Sequence, residues 1–131
     1  MSYTFHKITS LGFDDAIGQT TAALKERGFG ILTEIDVTQT FKNKLDVDFR
    51  NYRILGACNP SFALQALEVE NKIGAMLPCS VIVQELPDGT VEVAAIDPVA
   101  SMQAIGNPEL DAISRQVQAL LKETVESLPA D

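Results

Sequence analysis

The stretch Cys79-Ser80-Val81-Ile82-Val83-Gln84-Glu85-Leu86-Pro87-Asp88-Gly89-Thr90-Val91-Glu92-Val93-Ala94-Ala95-Ile96 decides the fold class. Pro87-Asp88-Gly89 supplies a fixed φ, a side-chain acceptor and a residue at home at positive φ, which are the needs of a tight chain reversal. The flanks are rich in β-branched residues, so Cys79 to Leu86 and Thr90 to Ile96 are expected to pair as antiparallel strands. Val81–Val83 and Val93–Ile96 place apolar side chains on both faces of this hairpin. A half-solvated strand alternates instead, so the hairpin predicts cover on both sides.

Outward from the hairpin, turn signals come at short intervals. Asp97-Pro98 and Asn107-Pro108 each put a capping side chain before a proline, which opens a short helix over Val99 to Ala104 and a last helix over Glu109 to Leu128. In that last helix Leu110, Ile113, Val117, Leu120, Leu121, Thr124 and Leu128 recur every three or four residues, the stripe of a helix lying on a sheet. Upstream, Tyr52 to Cys58 reads as a strand. Its run Ile54-Leu55-Gly56-Ala57 implies close packing on both sides. Asn59-Pro60 then opens a helix over about Ser61 to Glu70, extending toward Met76, with Ala63, Ala66, Leu67 and Ile73 inward. Further upstream lie a strand over Tyr3 to Ile8, a helix over Phe13 to Arg27 with Gly28 at its C-terminal cap, and a strand over Gly30 to Ile35. Asp36 caps a short helix over Val37 to Lys44, with Gln39 at capping-box spacing. This order lacks the regular strand–helix alternation of a parallel doubly wound sheet. It gives an α+β fold, β-α-β(4)-α, with a largely antiparallel sheet and helices on one face.

The chain has 131 residues, the size of one domain, and no internal linker, so residues 1–131 are expected to form a single domain. The net charge is −8. Basic and acidic side chains balance through Gly56, so the whole excess lies beyond it. That half would repel a polyanion, which sets aside nucleic-acid and anionic-membrane partners. Neither a leader-like start nor an apolar run of membrane-spanning length is present, so a cytoplasmic location is expected. Cys58 and Cys79 are then expected as free thiols.

Known catalytic and phosphate-binding motifs fail on context. Gly28-Phe29-Gly30 precedes a strand rather than a helix. His6, the one histidine, has no partner at a recognisable spacing and reads as a sheet-face residue. Asp14 and Asp15 suit the first turn of a helix, and neighbouring carboxylates on a helix point apart. Lys42, Lys44, Arg50 and Arg53 are interleaved with Asp46 and Asp48 and read as a salt-laced surface rather than an anion site.

Two cysteine clusters remain. In Gly56-Ala57-Cys58-Asn59-Pro60 the thiol ends a strand where a helix begins, so a thiolate there would feel the helix dipole and free amides. The plainer reading is a small apolar residue filling a tight corner. In Leu77-Pro78-Cys79 the second thiol starts a strand. If the two strands are antiparallel, both sulfurs meet at one end of the sheet, as a reversible disulfide or as two ligands of an incomplete soft-metal site. The candidate site residues are therefore Cys58, with a catalytic role in view, and Cys58, Asn59, Cys79 and Asp97 as ligand-binding residues. No cofactor is expected, and no metal beyond those two weak thiol candidates.

These clusters also carry a resemblance. Ile54-Leu55-Gly56-Ala57-Cys58-Asn59-Pro60, Leu77-Pro78-Cys79-Ser80-Val81, Val91-Glu92-Val93 leading to Asp97-Pro98, and the earlier Gly30-Ile31-Leu32-Thr33-Glu34-Ile35-Asp36-Val37 together resemble the domain of unknown function 302 family, over about Tyr3 to Leu128. The resemblance implies a fold like that of TATA-box-binding proteins, with a helix after the first strand, a curved antiparallel sheet and a closing helix. It implies no activity, and fold alone implies no DNA binding. The reading that follows is a small binding or interaction module with no assigned reaction, pairing as a homodimer and open to an unidentified small ligand. Its rival is a thiol-dependent redox protein or enzyme that uses Cys58 with Cys79.

Overall fold

The computed structural model describes residues 2–130, and its elements follow the turn chemistry of the sequence. The strands are β1 (Thr4–Thr9), β2 (Gly30–Asp36), β3 (Tyr52–Cys58), β4 (Cys79–Glu85) and β5 (Val91–Ile96). They form one sheet in the order β1-β5-β4-β3-β2, with every neighbouring pair antiparallel. The helices are α1 (Phe13–Glu26), α2 (Val37–Leu45), α3 (Pro60–Val69), α4 (Pro98–Met102) and α5 (Glu109–Glu126), with short 3₁₀ turns at Ile73–Met76 and Gln103–Ile105. The fold is thus α+β, built on an open antiparallel sheet. Among the described residues, no helix is long and apolar enough to cross a membrane.

Alternation along each strand divides the side chains between two faces. One face carries Leu55, Ala57, Val81, Val83, Val91, Val93 and Ala95, all buried against Ala16 and Leu24 of α1 and Val117, Leu121 and Val125 of α5. Each buried Leu or Val contributes roughly 1.5–3 kcal/mol by leaving water. A smaller cluster of Ala66, Ile73 and Leu110, with Leu77, Met102 and Ile113 against it, fills the space beneath α3. The end of α5 is tied to the edge strand β1. Lys7 Nζ donates to the carbonyls of Glu126 and Leu128 at 2.9 and 2.5 Å, and Thr9 Oγ1 donates to that of Pro129 at 2.6 Å. The ammonium thereby complements the negative end of the helix.

The caps form largely as their residues dictate. Asp36 Oδ1 accepts from the Gln39 amide at 2.9 Å, but the Gln39 side chain donates to Asn43 rather than back to the cap, so the box closes on one side only. Asp97 Oδ1 accepts from the Val99 amide at 2.9 Å. Gly28 ends α1 at φ +87, where the Phe29 amide reaches the Leu24 carbonyl at 3.0 Å, a left-handed turn that suits glycine.

Two details differ from the sequence pattern. The helix after Asn59 stops at Val69 instead of running toward Met76, because Asn107 Nδ2 takes the Val69 carbonyl at 3.0 Å and Glu70 is extended (φ −147, ψ 97). Leu67, expected inward, is 42% exposed, while Ala66 and Ile73 take the buried positions of that cluster.

Candidate functional site

The antiparallel pairing of β3 with β4 puts Ala57 opposite Cys79. Cys58, the last residue of β3, and Cys79, the first of β4, therefore come together at one end of the sheet. Both line a small cleft that α3, α4 and α5 close, with Asn59, Phe62, Met102 and Ser114 among its walls. Its interior space is about 30 Å³. A single water needs about 10–15 Å³ measured this way, so the cleft has room for one small group and not for an organic substrate.

Both cysteines are free, Cys79 buried and Cys58 half-buried. Burial pushes the Cys79 thiol up to about 11, and the neighbouring Cys58 adds to that rise. Burial raises Cys58 as well. The expected pull of the helix terminus on a Cys58 thiolate is thus outweighed by desolvation, and both groups are neutral thiols at pH 7. That is the chemistry of packing residues rather than of an activated nucleophile. Asn59 Oδ1 receives the Phe62 amide at 3.5 Å, a long cap, and its Nδ2 rests against Gly28, where a Cβ would come within 2.9 Å. Asp97 belongs elsewhere. Its carboxylate accepts from the Val99 amide and twice from Gln118 Nε2, at 3.0 and 3.2 Å, while only its neighbour Pro98 reaches the cleft. The sequence brought Cys58, Asn59 and Cys79 to notice. It gave no signal for Met102 or Ser114, which arrive from α4 and α5 through tertiary packing.

The second region is the helix-free face of the sheet. Register places Ile35 opposite Ile54, Ile54 opposite Ile82, Ile82 opposite Ala94 and Ala94 opposite His6. An apolar row thus crosses four strands and ends at the exposed His6, whose Nδ1 lies 3.3 Å from Thr4 Oγ1. Beside it runs the row Tyr52, Gln84, Glu92 and Ile8. Arg50 Nε donates to Gln84 Oε1 at 3.0 Å, and Gln84 Nε2 donates to Glu92 Oε1 at 2.9 Å. On the other side, Gly56 lies beneath Thr33 and Pro78, both of which would clash with an added Cβ. A shallow concavity of about 390 Å³ spans this face from Tyr3 to Tyr52.

The basic cluster is salt-laced. Lys42 faces Asp46 and Asp48 at 3.0 and 3.5 Å, and Arg53 pairs with Glu34 and Asp36. Arg50 stacks on Phe49 with its guanidinium carbon 4.4 Å from the ring centre.

An open five-stranded antiparallel sheet, helices on one face and a cysteine-lined cleft at its end define a class without a known reaction. The family model described as domain of unknown function DUF302 matches residues 5–128, and the chain belongs to that family. It is similar to a solved structure, the "uncharacterized conserved protein DUF302 from Bacillus stearothermophilus", with 26% identity and a TM-score of 0.90 over 96% of this chain and 98% of that one. No curated protein matches the chain. The chain is thus identified as a member of a domain family with no assigned biochemical function.

Proposed function

We propose that this protein is an interaction module that pairs with a second copy of itself through the helix-free sheet face. The observation that carries this reading is the in-register row Ile35–Ile54–Ile82–Ala94, flanked by polar neighbours. An apolar centre with a polar rim is the anatomy of a protein interface. A second copy is the favoured occupant on charge grounds. Of the described acidic residues beyond Gly56, only Glu92 lines the concavity, and it is engaged by Gln84. A face with a single, already engaged carboxylate in its concavity adds little to the repulsion between two copies of a chain of charge −8. Ala94 is already only 7% exposed there without any helix over it.

Light scattering at micromolar concentration tests the reading. The expected mass is twice 14.2 kDa, and Ile82→Glu, which sets a charge in the middle of the row, is expected to return the mass to 14.2 kDa with the far-ultraviolet circular dichroism unchanged. A wild-type monomer would end the proposal. A reducing, cytoplasmic setting suits the two free thiols.

A further inference from the structure

We propose that Cys58, Cys79 and Met102 form a three-sulfur site that binds one monovalent soft cation, Cu(I), per chain. The three residues come from the end of β3, the start of β4 and the last turn of α4, and they line one cleft. The donors the cleft offers, its size and its uncharged lining suit such an ion, independently of any pairing between copies.

The donor set is selective. Among the described residues, no three histidine, cysteine or carboxylate side chains are grouped to hold a metal ion, so a hard cation or a tetrahedral Zn²⁺ lacks ligands here. Two cysteines and a methionine thioether are soft donors, and soft donors select Cu(I). None of the residues lining the cleft carries a charged side chain. An interior of about 30 Å³ admits an ion and little else.

The binding step balances. Two neutral thiols and one Cu(I) give a bis-thiolate complex of net charge −1, the thioether adding a neutral third donor, and two protons leave to solvent. No electron is transferred. The residual negative charge lies where α3 begins, since Cys58 and Asn59 immediately precede Pro60 at the first position of that ten-residue helix, and the positive end of a helix favours an anion. Two neutral thiols can serve as ligands, because a bound metal displaces their protons outright.

The test uses the reduced 131-residue chain under anaerobic conditions, titrated with Cu(I) in competition with a chromophoric Cu(I) chelator. The expected result is one Cu(I) per chain, with copper-edge absorption showing three sulfur neighbours. Cys58→Ser and Cys79→Ser are each expected to weaken binding by more than about 100-fold. Met102→Leu preserves volume and fold and is expected to weaken it by about 10-fold and leave two sulfur neighbours. Binding should tighten with pH in proportion to the two protons released, and Zn²⁺ and Mg²⁺ should not compete. Failure of the wild-type chain to take Cu(I) from the chelator would overturn the proposal. So would unchanged affinity in Cys58→Ser. One Cu(I) per two chains, indifferent to Met102→Leu, would do the same, since it would mark a bridge between the half-buried Cys58 residues of two copies. Circular dichroism of each variant separates lost ligation from lost folding.

Discussion

Leu55 and Ile54 are neighbours on one strand and equally apolar, yet they meet different fates. Leu55 is buried beneath α1 and α5, while Ile54 stands half-buried on the face that no helix covers. The same contrast divides Val81 from Ile82. Side-chain chemistry sets how much each residue gains from burial, but the path of the helices sets whether the gain is realised within the chain. One face is a core, and the other is a surface shaped like a core.

Truncation breaks or sharpens that contrast most. Leu55→Ala is expected to lower unfolding free energy by about 2–5 kcal/mol in urea titration, because it leaves a cavity under two helices. Ile54→Ala is expected to lower it by less than about 1.5 kcal/mol at dilutions where only monomer is present, and to weaken self-association instead. Equal losses in the two variants would show that the second face is as much a core as the first.

At high pH the helix-covered side should show itself again. The Cys79 thiol has its folded pKa raised from 9.0 to about 11. Below the unfolded value both states hold the proton, and stability is unaffected by pH. Between about 9 and 11 the unfolded chain releases its proton while the folded chain retains it, so stability falls through that window. A rise from 9.0 to about 11 corresponds to about 2–3 kcal/mol. Cys79→Ala should flatten that part of a pH series of urea midpoints, and a slope that survives the substitution would place its origin elsewhere.

Gly56 joins the two regions, since it sits beneath Thr33 on the open side and beneath the ring of Pro78, next to Cys79. Gly56→Ala should cost about 1–3 kcal/mol by overpacking, and Thr33→Gly in the same chain should recover part of that loss. A variant as stable as wild type would mean that the strands can separate there without consequence.

The caps give the smallest effects and rank among themselves. Asp97→Ala should cost about 1–2 kcal/mol in thermal unfolding, since both a 2.9 Å cap bond and the Gln118 contacts go with it. Asn59→Ala should cost about 0.5 kcal/mol, as its cap bond is 3.5 Å long. If Asn59→Asp loses as much as Asn59→Ala, the amide nitrogen beside Gly28, and not the cap, is what the fold uses.

Much of the frame was legible in the residues. Pro87-Asp88-Gly89 announced the hairpin, the Asn-Pro and Asp-Pro steps announced three helix starts, and the period of Leu110 to Leu128 announced the long helix and its inward side. These signals are local: a proline fixes its own φ, a side-chain carboxylate caps the amides next to it, and an apolar stripe is a property of one helix. What the residues did not reveal was not local. The helix after Asn59 ended early because Asn107, 38 positions beyond Val69, takes a carbonyl from its last turn. Between the two readings of Cys58, burial raises the thiol as the plainer one expects, and desolvation depends on everything packed around a group.

By itself, then, the sequence determined the strands and most helix boundaries, the antiparallel hairpin, the acidic second half and the two cysteines worth suspecting. Only the tertiary structure decided that β1 joins β5 at one edge while β2 forms the other, that Ile35, Ile54, Ile82 and Ala94 fall in one row, and that Met102 lines the same cleft as both thiols. The physical reason is range. Backbone preference and periodicity act over a few residues, whereas register and packing couple residues dozens of positions apart through contacts that exist only when the chain has closed.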